Sequence, residues 1–132
     1  MGLERLKDIG AIIDDLDAMG RLVRIKSEVD INLDLAGIAA EFERGPRAVL
    51  FENVKGQDAP VLIGLYWSRE LLCALMRTPE RKLPALVSKH IQKWQIDPVA
   101  PVVLDDGPVR EVTEKDVDVT TLPVPVHATK DG

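Results

Sequence analysis

Leu50-Phe51-Glu52-Asn53-Val54-Lys55-Gly56 decides how this 132-residue chain folds. The apolar run Ala48 to Phe51 is too short for a buried helix and is stopped by Glu52, Asn53 and Gly56, so it reads as an inner strand entering a turn. Before it, Gly45-Pro46 closes an amphipathic helix whose apolar side is Ile38, Ala39 and Phe42, with Asp30 or Asn32 as the expected cap. Before that helix, Arg21 to Lys26 is β-prone. Strand, helix and strand from Leu22 to Phe51 form a βαβ unit, for which parallel pairing is expected.

Outward in both directions the pattern stays α/β. Leu3, Leu6, Ile9, Ile13, Leu16 and Met19 recur at steps of three and four and predict a first helix ending at Gly20. Val61 to Leu65 predicts a third strand. Ser68 caps a helix over Arg69 to Arg77, with Leu71, Leu72, Leu75 and Met76 facing the core and Thr78-Pro79 ending it. Pro84 fits the first turn of a last helix, whose stripe is Leu86, Val87, His90, Ile91 and Trp94. Val102 to Leu104 and Val109 to Val112, around Asp105-Asp106-Gly107-Pro108, predict two more short strands. The expectation is one small α/β domain over residues 1–113, with a mixed sheet of about five strands and about four helices. Residues 114–132, charged and then proline-rich at Leu122-Pro123-Val124-Pro125, are expected to form an extended connector.

Composition narrows the function. Hydrophobic residues make up 45% of the chain, enough for a core, and 17 basic against 22 acidic residues give a formal charge of −5. That balance and the 4% aromatic content argue against nucleic acid and against anionic membrane surfaces. The single cysteine, Cys73, excludes an internal disulfide and a multi-cysteine metal site, and a reducing cytoplasm is the expected setting. The first residues carry Glu4, Arg5 and Lys7 without an apolar core, so no secretory signal is read there.

The residues able to carry chemistry have ordinary explanations. His127 lies in a terminal stretch expected to supply neither a pocket nor an orienting partner for a general base. His90 stands on a helix stripe with no second histidine at metal-ligand spacing and reads as a packed or edge-of-core residue. Cys73 sits among apolar neighbours and is expected to be buried, with Arg69 one turn away as the group that could activate it. Asp14, Asp15 and Asp17, and Glu41 and Glu43, fall opposite helix stripes and read as a solvated face. Glu52 and Asn53 are expected to serve the turn, with an interface role as the alternative. There is no glycine-rich phosphate loop; Gly56 and Gly64 stand alone.

Leu50 to Gly56 also resembles a segment near the start of UbiD-type decarboxylases. Gly20-Arg21-Leu22-Val23-Arg24-Ile25, Glu28-Val29-Asp30, Trp67-Ser68-Arg69-Glu70, Leu122-Pro123-Val124-Pro125, His127 and Asp131-Gly132 follow that family's order across nearly the whole chain. The resemblance is to the family's N-terminal domain. It implies a reversible, non-oxidative decarboxylase of aromatic or α,β-unsaturated acids, in which a prenylated FMN forms a transient adduct with substrate and serves as electron sink. Manganese and often potassium hold the cofactor's phosphate. It further implies that the cofactor ligands and a Glu-Arg-Glu catalytic set lie in a larger domain that follows, so no catalytic, cofactor-binding or metal residue is carried over to this sequence. On that reading the 132 residues are a fragment or subunit and inactive alone. Their partners are the flavin-binding and C-terminal domains of the same or a companion chain, within a homo-oligomer. The alternative is a stand-alone, non-enzymatic interaction or ligand-binding module.

Overall fold

The computed structural model describes residues 8–131. Leu3 and Leu6 of the first stripe, and Gly132, lie outside the described residues. The elements run α1 (Ile9–Ala18), β1 (Leu22–Ile25), α2 (Asp34–Ala40), β2 (Ala48–Phe51), β3 (Val61–Ile63), α3 (Arg69–Leu75) and α4 (Leu83–Ile96). A 3-10 turn over Glu80–Lys82 precedes α4.

β2 is the centre of the sheet, and all four of its residues are buried. β1 pairs with it in parallel, Leu22 opposite Ala48 and Ile25 opposite Phe51. β3 pairs with its other edge antiparallel, Phe51 opposite Val61. A middle strand hydrogen-bonded on both sides and covered on both faces must be apolar at every position rather than at alternate ones, and Ala48-Val49-Leu50-Phe51 is. Its side chains point alternately to two apolar clusters. Val49 and Phe51 join Val29, Leu35, Ala39, Val54 and Val61; Ala48 joins Leu16, Leu71 and Leu75. α2 therefore covers one face of the sheet, and α1 with α3 the other.

The turn after β2 is stitched to the chain after β1. The Val29 amide donates to the Asn53 carbonyl at 3.1 Å and Lys55 donates to the Val29 carbonyl at 3.0 Å, so the parallel pairing resumes at Val29 and Val54. α1 is capped by Asp8, whose Oδ1 accepts from the Ala11 amide at 2.8 Å. Ser68 caps α3 in the same manner, its Oγ accepting from Leu71 at 3.1 Å.

Two expectations are corrected. The cap of α2 is Leu33, without a side-chain bond, because Asp30 uses its carboxylate one step earlier, accepting from the Asn32 amide at 2.9 Å. Among the described residues the sheet has three strands rather than about five. Residues 102–104 are irregular and Pro108–Arg110 forms a 3-10 turn. Val102, Val103, Leu104, Val109 and Val112 are all strongly exposed, and a lone two-stranded hairpin with no face to pack on is marginal in water.

The C-terminal segment returns to the body. Val126 donates to the Ile31 carbonyl at 3.2 Å and accepts from the Leu33 amide at 3.1 Å, an isolated parallel bridge between Asn32 and Val126. Leu33 holds φ at 70° there, a conformation that costs a branched side chain roughly 1–3 kcal/mol and that these bonds help maintain. Among the described residues no helix is long and apolar enough to cross a membrane.

Candidate functional site

The return of the C-terminal segment makes a cleft. Ala36, Ala39, Ala40 and Glu43 from α2 and the turn after it, Ile63 from β3, Trp67, and His127 enclose a space of about 280 Å³. Three alanines on one helix side leave room that larger side chains would fill. Gly64 turns the chain after β3 with φ at 96°, and a Cβ there would overlap the Trp67 indole; the ring folds back because that position is glycine. Trp67 touches both apolar clusters, and its Nε1 is buried without an acceptor among the described residues.

His127 thus sits at the rim of a cleft, contrary to the expectation that its segment supplies none. The bridge at Val126 places it there, and hydrogen-bond capacity two strands away is not visible as a sequence motif. Its amide donates to Asp131 Oδ2 at 3.1 Å, as does that of Ala128 at 2.8 Å. These bonds fix the backbone of the turn and leave the imidazole exposed.

A second, wider groove of about 570 Å³ is lined by Met19, Arg21, Glu70, Cys73, Arg77 and Glu80, among others. Cys73 is buried, as composition suggested. Each arginine here already has a carboxylate: Arg21 Nη1 donates to Glu70 Oε1 at 2.6 Å, and Arg77 Nη2 to Asp15 Oδ1 at 2.6 Å.

Across the outer edge of the sheet, Arg24 bridges Asp17 and Glu52. Its Nη2 lies 2.8 Å from Asp17 Oδ2 and its Nη1 2.5 Å from Glu52 Oε1. Hydrogen bonds that the guanidinium donates to Glu52 and then to Asp17 hold it above its ordinary pKa. Asp15 and Asp17 are therefore not a plain solvated face but tie α1 to Arg77 and β1. Glu52 works through its ion pair and Asn53 through its backbone carbonyl. Asp14, Glu41 and Glu43 are exposed. Asp30 is held below its ordinary 3.8, first by the Asn32 amide and then by Lys55, against the opposing effect of burial. His90 is exposed on α4 rather than packed, because only the first turn of that helix reaches the core.

What these groups can do chemically is limited by their pairing. Among the described residues no three His, Cys, Asp or Glu side chains come together so as to hold a metal ion. The carboxylates that cluster, Asp15, Asp17, Glu52 and Glu70, each face an arginine, and those arginines are in turn committed and not free for a phosphate. Paired in this way, these carboxylates and arginines do not fit a flavin phosphate with its cation.

The chain's likenesses to known proteins place it in a family. The model of the 3-octaprenyl-4-hydroxybenzoate carboxy-lyase N-terminal domain matches residues 13–91. An uncharacterised protein from the cooM 5′ region of Rhodospirillum rubrum is 61% identical over 127 residues, 96% of this chain and 27% of that protein. The anhydromevalonate phosphate decarboxylase of Methanosarcina mazei is 34% identical, over 91% of this chain and 26% of the enzyme. Phenolic acid decarboxylase of a Streptomyces species is 32% identical, over 95% and 28%. Among solved structures, an evolved dimeric form of the UbiD-class enzyme HmfF from Pelotomaculum thermopropionicum, in complex with prFMN, superposes with a TM-score of 0.73 at 30% identity, over 88% of this chain and 27% of that one. The apo 3,4-dihydroxybenzoic acid decarboxylase of Enterobacter cloacae gives 0.70 at 25% identity, over 94% and 28%. The chain spans about a quarter of the length of the curated relatives it matches. By the extent of the family match and the fold it shares with UbiD-class enzymes, this chain belongs to the UbiD carboxy-lyase family as its N-terminal domain.

Proposed function

We propose that this domain, residues 1–113 with 114–132 as connector, is the scaffold portion of a reversible, non-oxidative decarboxylase of aromatic or α,β-unsaturated carboxylic acids. Prenylated FMN, with manganese and potassium at its phosphate, would be held by the domain that follows and would supply the electron sink for loss of carbon dioxide. The residues described above would contribute packing and one wall's shape rather than reacting groups. The whole enzyme would work in the cytoplasm as a homo-oligomer, in keeping with the lone cysteine and the net charge of −5.

The observation that carries the reading is a coverage ratio joined to a chemical one. Of this chain 88% aligns with 27% of a prFMN-bearing enzyme, while its own clustered carboxylates and arginines neutralise one another. The test is to express the complete reading frame, or this chain with a companion subunit, load it with prenylated FMN and manganese, and follow carbon dioxide release from a panel of aromatic and acrylic acids. Turnover by the longer assembly and none by the 132 residues supports the reading. Turnover by the 132 residues alone contradicts it.

A further inference from the structure

α4 presents an apolar face that its own domain does not cover. Leu83 is its buried residue, whereas Val87, Ile91 and Trp94 are 39%, 52% and 67% exposed. With Met76 and His90 they line a shallow concavity of about 440 Å³. Residues 87, 90, 91 and 94 share one side of a helix, so this is a continuous stripe. Beyond it, Ile96, Val99, Val102, Val103 and Leu104 are exposed as well, and the uncovered surface runs from the helix into the chain that follows.

The stripe has a charge of its own. From Arg81 to Ile96 there are Arg81, Lys82, Lys89 and Lys93 and no acidic residue, in a chain whose net charge is −5. Lys89 and Lys93 stand one turn apart on one flank, and Ser88, Gln92 and Gln95 occupy the other.

We infer that this face is the dock for the cofactor-bearing domain, which meets it with an apolar surface rimmed by carboxylates; the inference rests on the function proposed above. Three considerations select that occupant. A second copy pairing α4 with α4 would set Lys89 and Lys93 against their own kind, and like charges across an interface are costly. An anionic lipid surface is served best by lysines on both flanks of an apolar face, and here they lie on one, within an acidic chain. Finally, this chain spans about a quarter of the length of its curated relatives, and the remainder of a protein of that length offers the surface this stripe lacks here. A domain joined through the connector 114–132 meets this face as a tethered partner, at an effective concentration of order millimolar.

Hydroxyl-radical footprinting with mass spectrometry tests the dock. Trp94 is compared between the 132-residue chain and the complete reading frame or its assembly with a companion cofactor subunit, with exposed Tyr66 as internal reference. The longer assembly is expected to lower Trp94 oxidation about fivefold, by exclusion of water at a packed contact, and K89E/K93E is expected to restore it. Equal oxidation of Trp94 in a longer assembly that decarboxylates overturns the dock and leaves the proposed function standing. Protection that K89E/K93E releases, in an assembly without decarboxylase activity, supports the dock and sinks the function. Protection of the 132 residues by phosphatidylglycerol vesicles, or by raising their own concentration, overturns the choice of occupant, as does a reading frame that ends with no polypeptide able to protect Trp94.

Discussion

Replacing Gly64 by alanine tests whether the indole of Trp67 joins the two faces of the sheet. Gly64 holds φ at 96°, and the added methyl would fall inside the Trp67 ring. The backbone strain of a Cβ at positive φ is about 1–2 kcal/mol. Pushing a packed ring out of place adds about 1–3 kcal/mol, and this ring contacts both apolar clusters. The expected loss is about 2–5 kcal/mol, a large part of the ~5–15 kcal/mol that holds a typical domain together. Gly56 is the matched control, since its φ is 73° and nothing lies within 4 Å of a Cβ, so Gly56→Ala should show the strain of about 1–2 kcal/mol alone. Urea unfolding followed by far-ultraviolet circular dichroism reads both. With an m-value of about 1–3 kcal/mol per molar, Gly64→Ala should lower the midpoint clearly further than Gly56→Ala. In a Trp67→Ala background the Gly64 penalty should shrink to the Gly56 value, because the ring is then gone. Equal midpoint shifts for the two glycine variants, or an undiminished Gly64 penalty without Trp67, would refute the reasoning.

Three further outcomes are expected. Phe51→Ala, at a fully buried position of the central strand, should cost about 3–5 kcal/mol in the same urea assay, since it combines lost transfer energy with a cavity. Ser68→Ala, which deletes the acceptor for the Leu71 amide, should cost about 1 kcal/mol, and Ser68→Asp should retain most of the stability. Asp30 and Asp118 have folded pKa values below their ordinary 3.8, owing first to the Asn32 amide and to the Thr120 hydroxyl respectively. Their stabilisation is complete above the unfolded value and is lost as pH falls through the lower folded one. Thermal midpoints should therefore fall on acidification below about pH 4, and less steeply in Asp30→Asn; an identical slope in that variant would contradict the assignment.

How far the fold could be read in advance depended on whether the signal was local. Ala48 to Phe51 and the β-prone residues after Gly20 identified β2 and β1 because a strand covered on both faces is apolar at every step, and the helix between them fixed their parallel sense. Ser68 and Pro84 marked helix starts because caps act within a single turn. The misreadings share a cause. Val102 to Leu104 and Val109 to Val112 have strand composition, but a strand needs a neighbour, and none of the described residues supplies one. Asp30 was a good capping side chain that the fold engaged with Asn32 instead. The stripe of α4 is visible as a period, yet period cannot say whether a core lies beneath it, so the reading of His90 as a packed or edge-of-core residue does not hold. The cleft at His127 depended on Val126 pairing with residues nearly a hundred positions earlier, and the pairing of Arg24 with Glu52, across 28 positions, was equally hidden.

The most direct measurement is the thermal midpoint of the 132-residue chain with and without prenylated FMN and manganese, alongside the complete reading frame under the same conditions. A ligand that binds the native state raises the midpoint with its concentration. If the cofactor is held elsewhere, the midpoint of the 132 residues stays constant through the titration while that of the longer polypeptide rises. A saturable rise in the 132 residues alone would mean that they hold the flavin themselves, and the division between scaffold and cofactor domain would fail.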